Sequence, residues 1–129
     1  MSSPRTHLGI EPSLSGSAVT LTEGAATVTL TTLPVMAADD RGLVHGGFVF
    51  GLADYAAMLA VNDPYVVLGA AETKFLAPVR VGEVVVATAT RTEIKGRRHI
   101  VHVSCVAGAR EVMTGVFTTF VLDAHVLGG

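Results

Sequence analysis

The segment between Phe48 and Val61 restricts the fold more than any other. Phe48, Val49, Phe50, Leu52, Ala53, Ala56, Ala57, Met58, Leu59, Ala60 and Val61 put apolar groups on every face of a helix drawn through them, and Asp54 is the only charge. A helix that is apolar all round is one that is buried all round. Asn62-Asp63-Pro64 ends it, because the residue before proline avoids helical angles and proline contributes no N–H. A bilayer is not the enclosure: a spanning helix needs about 18 or more apolar residues with few or no charges. Here the stretch 44–61 is broken by His45, Gly46, Gly47 and Asp54. The helix must therefore be wrapped by the protein itself.

The rest of the chain supplies the wrapping. Residues 17–33 read as two strands, with Ala26, Val28 and Leu30 alternating against Thr27, Thr29 and Thr31, and Glu23-Gly24 marks a hairpin turn. Residues 34–43 read as loop. After the helix, 66–76, 83–94, 97–107 and 110–122 are Val- and Thr-rich and free of internal proline. Short turn signals at 78–82, Lys95-Gly96 and Gly108 separate them. Strands, one long helix, then four strands with short connections predict an α+β domain built on an antiparallel sheet. We expect one domain over 17–129, preceded by a loosely ordered Ser-, Pro- and Gly-containing tail over 1–16.

One helix covers only part of so wide a sheet. Charged residues make up 16% of the 129, against roughly 25% in soluble domains, and mean hydropathy is +0.54. The apolar excess and the long apolar edge strands predict a homodimer. A net charge of −2 and a pI near 6.2 supply no basic surface for nucleic acid. The N-terminus has Arg5 but no apolar core of a secretory signal, and Cys105 stands alone, so neither a disulfide nor a CxxC motif exists. A cytoplasmic protein without membrane attachment is expected. No HExxH pattern or second ligand at metal spacing accompanies His45, and no cofactor is implied.

Four features carry chemistry. Asp54 has Phe50, Gly51, Ala57 and Met58 as its helix neighbours three and four positions away, so no basic side chain on the helix neutralises it. Either a distant Arg or His pairs with it, or it faces a groove, or it works as a carboxylate in an apolar setting. Ahead of it, Gly46 and Gly47 stand where a Ser, Thr, Asp or Asn would cap the helix. Their free N–H groups at the positive end of the helix dipole suit a developing oxyanion, though two glycines also simply permit a tight entry. His45 is open to a general-base, metal-ligand or positioning role, of which positioning that turn fits best. Lys95, Arg97 and Arg98 around Gly96 form a basic turn, which is either a solvated surface or a phosphate holder.

Taken in order, these residues resemble the hot-dog fold acyl-CoA thioesterases, in particular the subfamily typified by the phenylacetate-pathway thioesterase. The core match runs His45-Gly46-Gly47-Phe48-Val49-Phe50-Gly51-Leu52-Ala53-Asp54-Tyr55-Ala56. Glu72-Thr73-Lys74-Phe75-Leu76-Ala77-Pro78 with Gly82 is similar to the family's strand ending in Phe-Leu-x-Pro, and Gly96-Arg97-Arg98 opens the next strand as in the family. The resemblance implies a highly curved antiparallel sheet around one central helix, subunits paired into a dimer and often a tetramer, and hydrolysis of an acyl-CoA thioester at the dimer interface.

By the same resemblance Asp54 is the nucleophile or general base, the Gly47 N–H polarises the carbonyl, and His45 shapes the loop. Gly46, Gly51, Tyr55, Met58, Glu72 and Thr73 adjoin the substrate, and Lys95, Arg97 and Arg98 meet the CoA phosphates. Tyr55 and Met58 depart from the family, which has a small hydroxylic residue after the Asp and in some members a polar one a turn later. Two other classes remain open: a non-catalytic module that binds or senses acyl-CoA, and a hot-dog dehydratase acting on hydroxyacyl thioesters.

Overall fold

The computed structural model describes residues 2–128. Met1, in the expected tail, and Gly129, at the end of the expected domain, lie outside the described residues. The elements run α1 (Pro12–Ser15), β1 (Ser17–Thr22), β2 (Ala25–Thr31), a 3-10 turn (Pro34–Met36), α2 (Gly46–Val61), β3 (Val66–Phe75), β4 (Val84–Lys95), β5 (Arg98–Ala107) and β6 (Arg110–Val121). The six strands form one curved antiparallel sheet in the order β1-β2-β4-β5-β6-β3, with α2 against its inner face.

The two-residue period assigns the faces. Ala26, Val28 and Leu30 of β2, Val85, Ala87 and Ala89 of β4, and Val101, Val103 and Cys105 of β5 are all buried, whereas Thr88, Thr90 and His102 between them are exposed. Alanines at the centre of the inner face let α2 approach closely. Burial pushes the Cys105 thiol up to about 12, so it behaves as a small apolar core residue. No helix among the described residues is long and apolar enough to cross a membrane.

Three expectations need correction. The turn at 78–82 predicts that β3 and β4 are neighbours, but β3 lies at the far edge, paired with β6 from Val66↔Val121 to Phe75↔Met113. Periodicity tells which face a residue occupies and says nothing about which strand it pairs with. The crossover is fastened through Val44 N–H to the Val79 carbonyl (2.8 Å), Val81 N–H to the Gly42 carbonyl (2.8 Å) and a Leu43↔Arg80 bridge. Those bonds also fix the loop that enters α2.

The second correction concerns the expected loose tail. Ser2 N–H bonds the Leu21 carbonyl (2.7 Å), and the Asn62 side chain accepts from Arg5 N–H (2.7 Å) while donating to the Ser3 carbonyl (3.0 Å). Thr6 is buried, the His7 ring lies 6.3 Å from that of Tyr55, and α1 packs on α2 through Gly16 and Leu52. Residues 2–16 are thus a strap along one side of the helix. Their polar composition hides this because backbone and Asn62 amide groups, not large apolar side chains, hold most of it.

The third concerns α2 itself. It starts two residues earlier than expected, at Gly46, and it is not enclosed all round by its own chain. Sheet and strap bury Leu52, Ala53 and Ala56–Ala60, while Gly47 is exposed and Gly51 and Asp54 are half-buried. One lane of the helix stays open.

Candidate functional site

The open lane begins at the helix N-terminus. His45 occupies the N-cap with extended backbone (φ −62°, ψ 130°) and makes no side-chain cap. Its N–H bonds the Met36 carbonyl (2.9 Å) and its carbonyl accepts from Phe48 N–H (3.1 Å), which anchors the turn. The N–H groups of Gly46 and Gly47 find no hydrogen-bond partner among the described residues. A side chain would be tight at both positions. A Cβ on Gly47 would sit 3.0 Å from the His45 ring, and one on Gly46 would sit 3.3 Å from the Phe75 ring. The result is a pair of unpaired donors at the positive end of a helix dipole, an arrangement that binds a partially negative oxygen.

Farther along the same lane lies Asp54. Gly47, Gly51 and Asp54 are four and three positions apart and so share one face. A methyl group at Gly51 would touch nothing within 4 Å, which leaves a slot between the helix start and the carboxylate. Asp54 Oδ1 is buried and accepts no hydrogen bond. Burial pushes the carboxyl up to about 6 from an ordinary 3.8, with no cation to oppose the shift. Desolvation without a partner makes such a group a stronger base than an exposed aspartate.

The other expected residues are scattered. Thr73 turns inward, its methyl 2.9 Å from where a Cβ on Gly115 would lie. Glu72 lies on the outer face with Lys74 and His102, in a concavity of about 650 Å³. The sheet separates that hollow from Asp54. Tyr55 is turned toward the strap, and Met58 is fully buried. Neither lines the open lane. Lys95, Arg97 and Arg98 sit at the β4–β5 turn, and Arg97 pairs with Asp123. This turn lies beside the start of β3 through Val121 N–H to the Arg97 carbonyl (2.9 Å). It is therefore at the C-terminal end of α2, away from Gly46 and Gly47. Within one chain, the basic turn and the open lane do not meet.

Sequence reasoning assigned no role to Phe75. It closes one side of an apolar hollow of about 380 Å³ against the first turn of α2. The available signal was an aromatic residue ending an edge strand just before Pro78. Among the described residues no three of His, Cys, Asp and Glu gather in a way that would hold a metal ion.

Residues 41–114, more than half of the chain, match the family model of the thioesterase superfamily. The chain belongs to that superfamily. Its hot-dog fold and its likeness to the phenylacetate-pathway branch appear in solved structures as well. An uncharacterized protein of Pyrococcus horikoshii superposes with a TM-score of 0.96 at 48% identity, covering 98% of this chain and 97% of that one. A variant of the phenylacetic acid degradation protein PaaI of Thermus thermophilus does so with a TM-score of 0.77 at 28% identity, covering 84% of this chain and 95% of that one. In sequence, the methylthioribose-1-phosphate isomerase of Aquifex aeolicus is 52% identical over 120 residues, 92% of this chain and 26% of that protein. The chain thus spans about a quarter of that relative's length.

Proposed function

We propose that this thioesterase-superfamily chain hydrolyses an acyl-CoA thioester to the free acid and CoA. The observation that carries the reading is Asp54 Oδ1, a buried carboxylate oxygen with no partner in the open lane of an apolar helix. A group held in that state at a desolvation cost suits a reaction that consumes basicity. The unpaired N–H groups at Gly46 and Gly47 are the complementary half, because the thioester carbonyl gains negative charge as it is attacked. Asp54 either attacks that carbon or takes the proton of an attacking water, and His45 holds the donor turn in place.

The spacing bears on how the halves combine. Gly47 and Asp54 are seven residues apart, about 10 Å along the helix axis, whereas one carbonyl needs both within about 3 Å of its reacting atoms. The exposed edge of β3 offers a second copy a place to pair antiparallel. Such pairing sets the start of one β3 beside the end of the other, and the two α2 helices head to tail. Gly47 of one chain then faces Asp54 of the other, and the partner's Lys95, Arg97 and Arg98 approach the helix N-terminus that holds the carbonyl. We read the active unit as a homodimer with two composite sites, able to associate further into a tetramer.

The test is Asp54→Asn, which keeps the shape and removes the base. Thiol release from acyl-CoA should fall at least a thousandfold while CoA binding stays within a few fold of wild type. Turnover that survives the substitution defeats the proposed mechanism.

A further inference from the structure

Both supports of the donor turn lead back to one residue. On the crossover side, Val44 N–H reaches the Val79 carbonyl and Leu43 bridges to Arg80. On the other side, His45 N–H reaches the Met36 carbonyl at the end of the 3-10 turn. Thr32 follows β2 directly, stands just before that turn, and also holds the crossover. Its N–H bonds the Glu83 carbonyl (3.0 Å) and its carbonyl accepts from Gly82 N–H (3.1 Å). Its Oγ1 lies 2.7 Å from the Glu83 carbonyl and 3.1 Å from the Arg80 carbonyl.

Among the described residues only Thr6, Thr32 and Thr119 are polar and buried. The Thr6 hydroxyl meets the adjacent His7 ring, and that of Thr119 meets the His99 carbonyl (2.9 Å). Thr32 is the one that ties the end of β2 to the crossover. Its hydroxyl rescues no stranded group, because the Glu83 carbonyl already has the Thr32 N–H and the Arg80 carbonyl already has Glu83 N–H (3.0 Å). What it adds is a further tie that fixes the direction of the strip bridged to Leu43. That strip is braced as well: the Glu83 carboxylate accepts from Arg80 N–H (2.7 Å) and from the Arg110 guanidinium, which also donates to the Pro78 carbonyl (3.0 Å).

We infer that Thr32 is a positioning residue for the carbonyl-binding turn, its buried hydroxyl setting where the Gly46 and Gly47 N–H groups point. The inference rests on the hydrolytic reading above and adds to it a residue that acts from behind the turn. The link is short. It runs from the hydroxyl to the Arg80 carbonyl, from Arg80 to Leu43 across the bridge, and along the chain through Val44 and His45 to Gly46. Donors of this kind work by placement, and an error of about 1 Å at a reacting centre costs about a hundredfold in rate. The negative charge they meet is largest in the transition state, so misplacing them lowers kcat more than it raises KM.

The experiment compares wild type with Thr32→Val, Thr32→Ser and Thr119→Val. It follows thiol release from whichever of acetyl-, octanoyl- and benzoyl-CoA wild type cleaves fastest, together with amide exchange. Thr32→Val is nearly isosteric and strands no carbonyl, so it should fold; if it does not, Thr32→Ala takes its place under the same limits. Its kcat should fall at least about tenfold with KM within about threefold of wild type. The rise of kcat/KM with pH should keep its midpoint, because Asp54 is untouched. Exchange of the Val44, His45 and Val81 amides should quicken at least about tenfold more than that of Val101 and Val103 in β5. Thr32→Ser keeps the hydroxyl and should hold kcat within about threefold of wild type. Thr119→Val loses a comparable bond near the other end of α2 and should keep kcat within about twofold.

A smaller fall in kcat for Thr32→Val, a Thr32→Ser as slow as Thr32→Val, or an equal fall in Thr119→Val overturns the inference. Should wild type cleave none of the three thioesters, the hydrolytic reading fails separately. Amide exchange then decides the role of Thr32: quickening confined to Val44, His45 and Val81 sustains its hold on the turn, and uniform quickening removes it.

Discussion

Asp54 holds a carboxylate where the folded chain resists ionising it, and this has two consequences of opposite benefit. Its folded pKa of about 6 lies above the ordinary 3.8, so the proton is bound more tightly in the folded state than in the unfolded one. The protonated group favours folding below about pH 4, and that contribution is lost as pH rises through about 6, a penalty of up to about 3 kcal/mol at neutral pH. Asp54→Asn should therefore raise stability at pH 8 by about 1–2 kcal/mol, the unpaired amide offsetting part of the gain, and by nothing measurable at pH 4. Urea midpoints at the two pH values check this, and an equal shift at both would count against it. Activity runs the other way: kcat/KM should climb tenfold per pH unit up to about pH 6 and level off above. Asp54 was legible in the sequence because a single charge in an apolar helix is a conspicuous exception. Glu72 was not, since a strand's alternation places it on one of two faces and only the sheet's curvature decides which face holds the helix.

Elements were legible to within a few residues, and their neighbours were not. The crossover from β3 to β4 is short enough to pass for a hairpin, and only the bond pattern around Val79 and Val81 reveals it as a bridge between opposite parts of the sheet. The helix start was missed by two residues because Gly46 and Gly47 are poor helix formers, held there by the fixed entry loop. The join of β3 to β6 depends on Gly115, whose missing Cβ leaves space for the Phe117 ring (2.8 Å) and the Thr73 methyl (2.9 Å). Gly115→Ala should cost about 1–3 kcal/mol through overpacking. Amide exchange should quicken in β3 more than in β2 or β4, and uniform quickening across the sheet would contradict a local role for this glycine.

At the scale of the molecule, the composite reading predicts subunit complementation. Asp54→Asn and Gly47→Val should each be inactive alone, the second because its side chain collides with the His45 ring. In a randomly mixed population half of the dimers carry both variants and hold one intact site of two, so about a quarter of wild-type activity should return. No recovery on mixing, with heterodimers demonstrated, would place each site within one chain.

The apolar surplus noted in the sequence has two locations, the enclosed part of α2 and the exposed edge of β3, which the proposed dimer would cover. That edge has a further consequence in time. Its in-chain neighbour is β6, the last strand in order, although β3 emerges from synthesis before β4 and β5. A nascent chain can close β1, β2, β4 and β5 by hairpins and one crossover while β3 is still without a neighbour. The strand whose edge the proposed dimer uses is therefore not ready until residue 121 has been made, so pairing of two copies waits for β6.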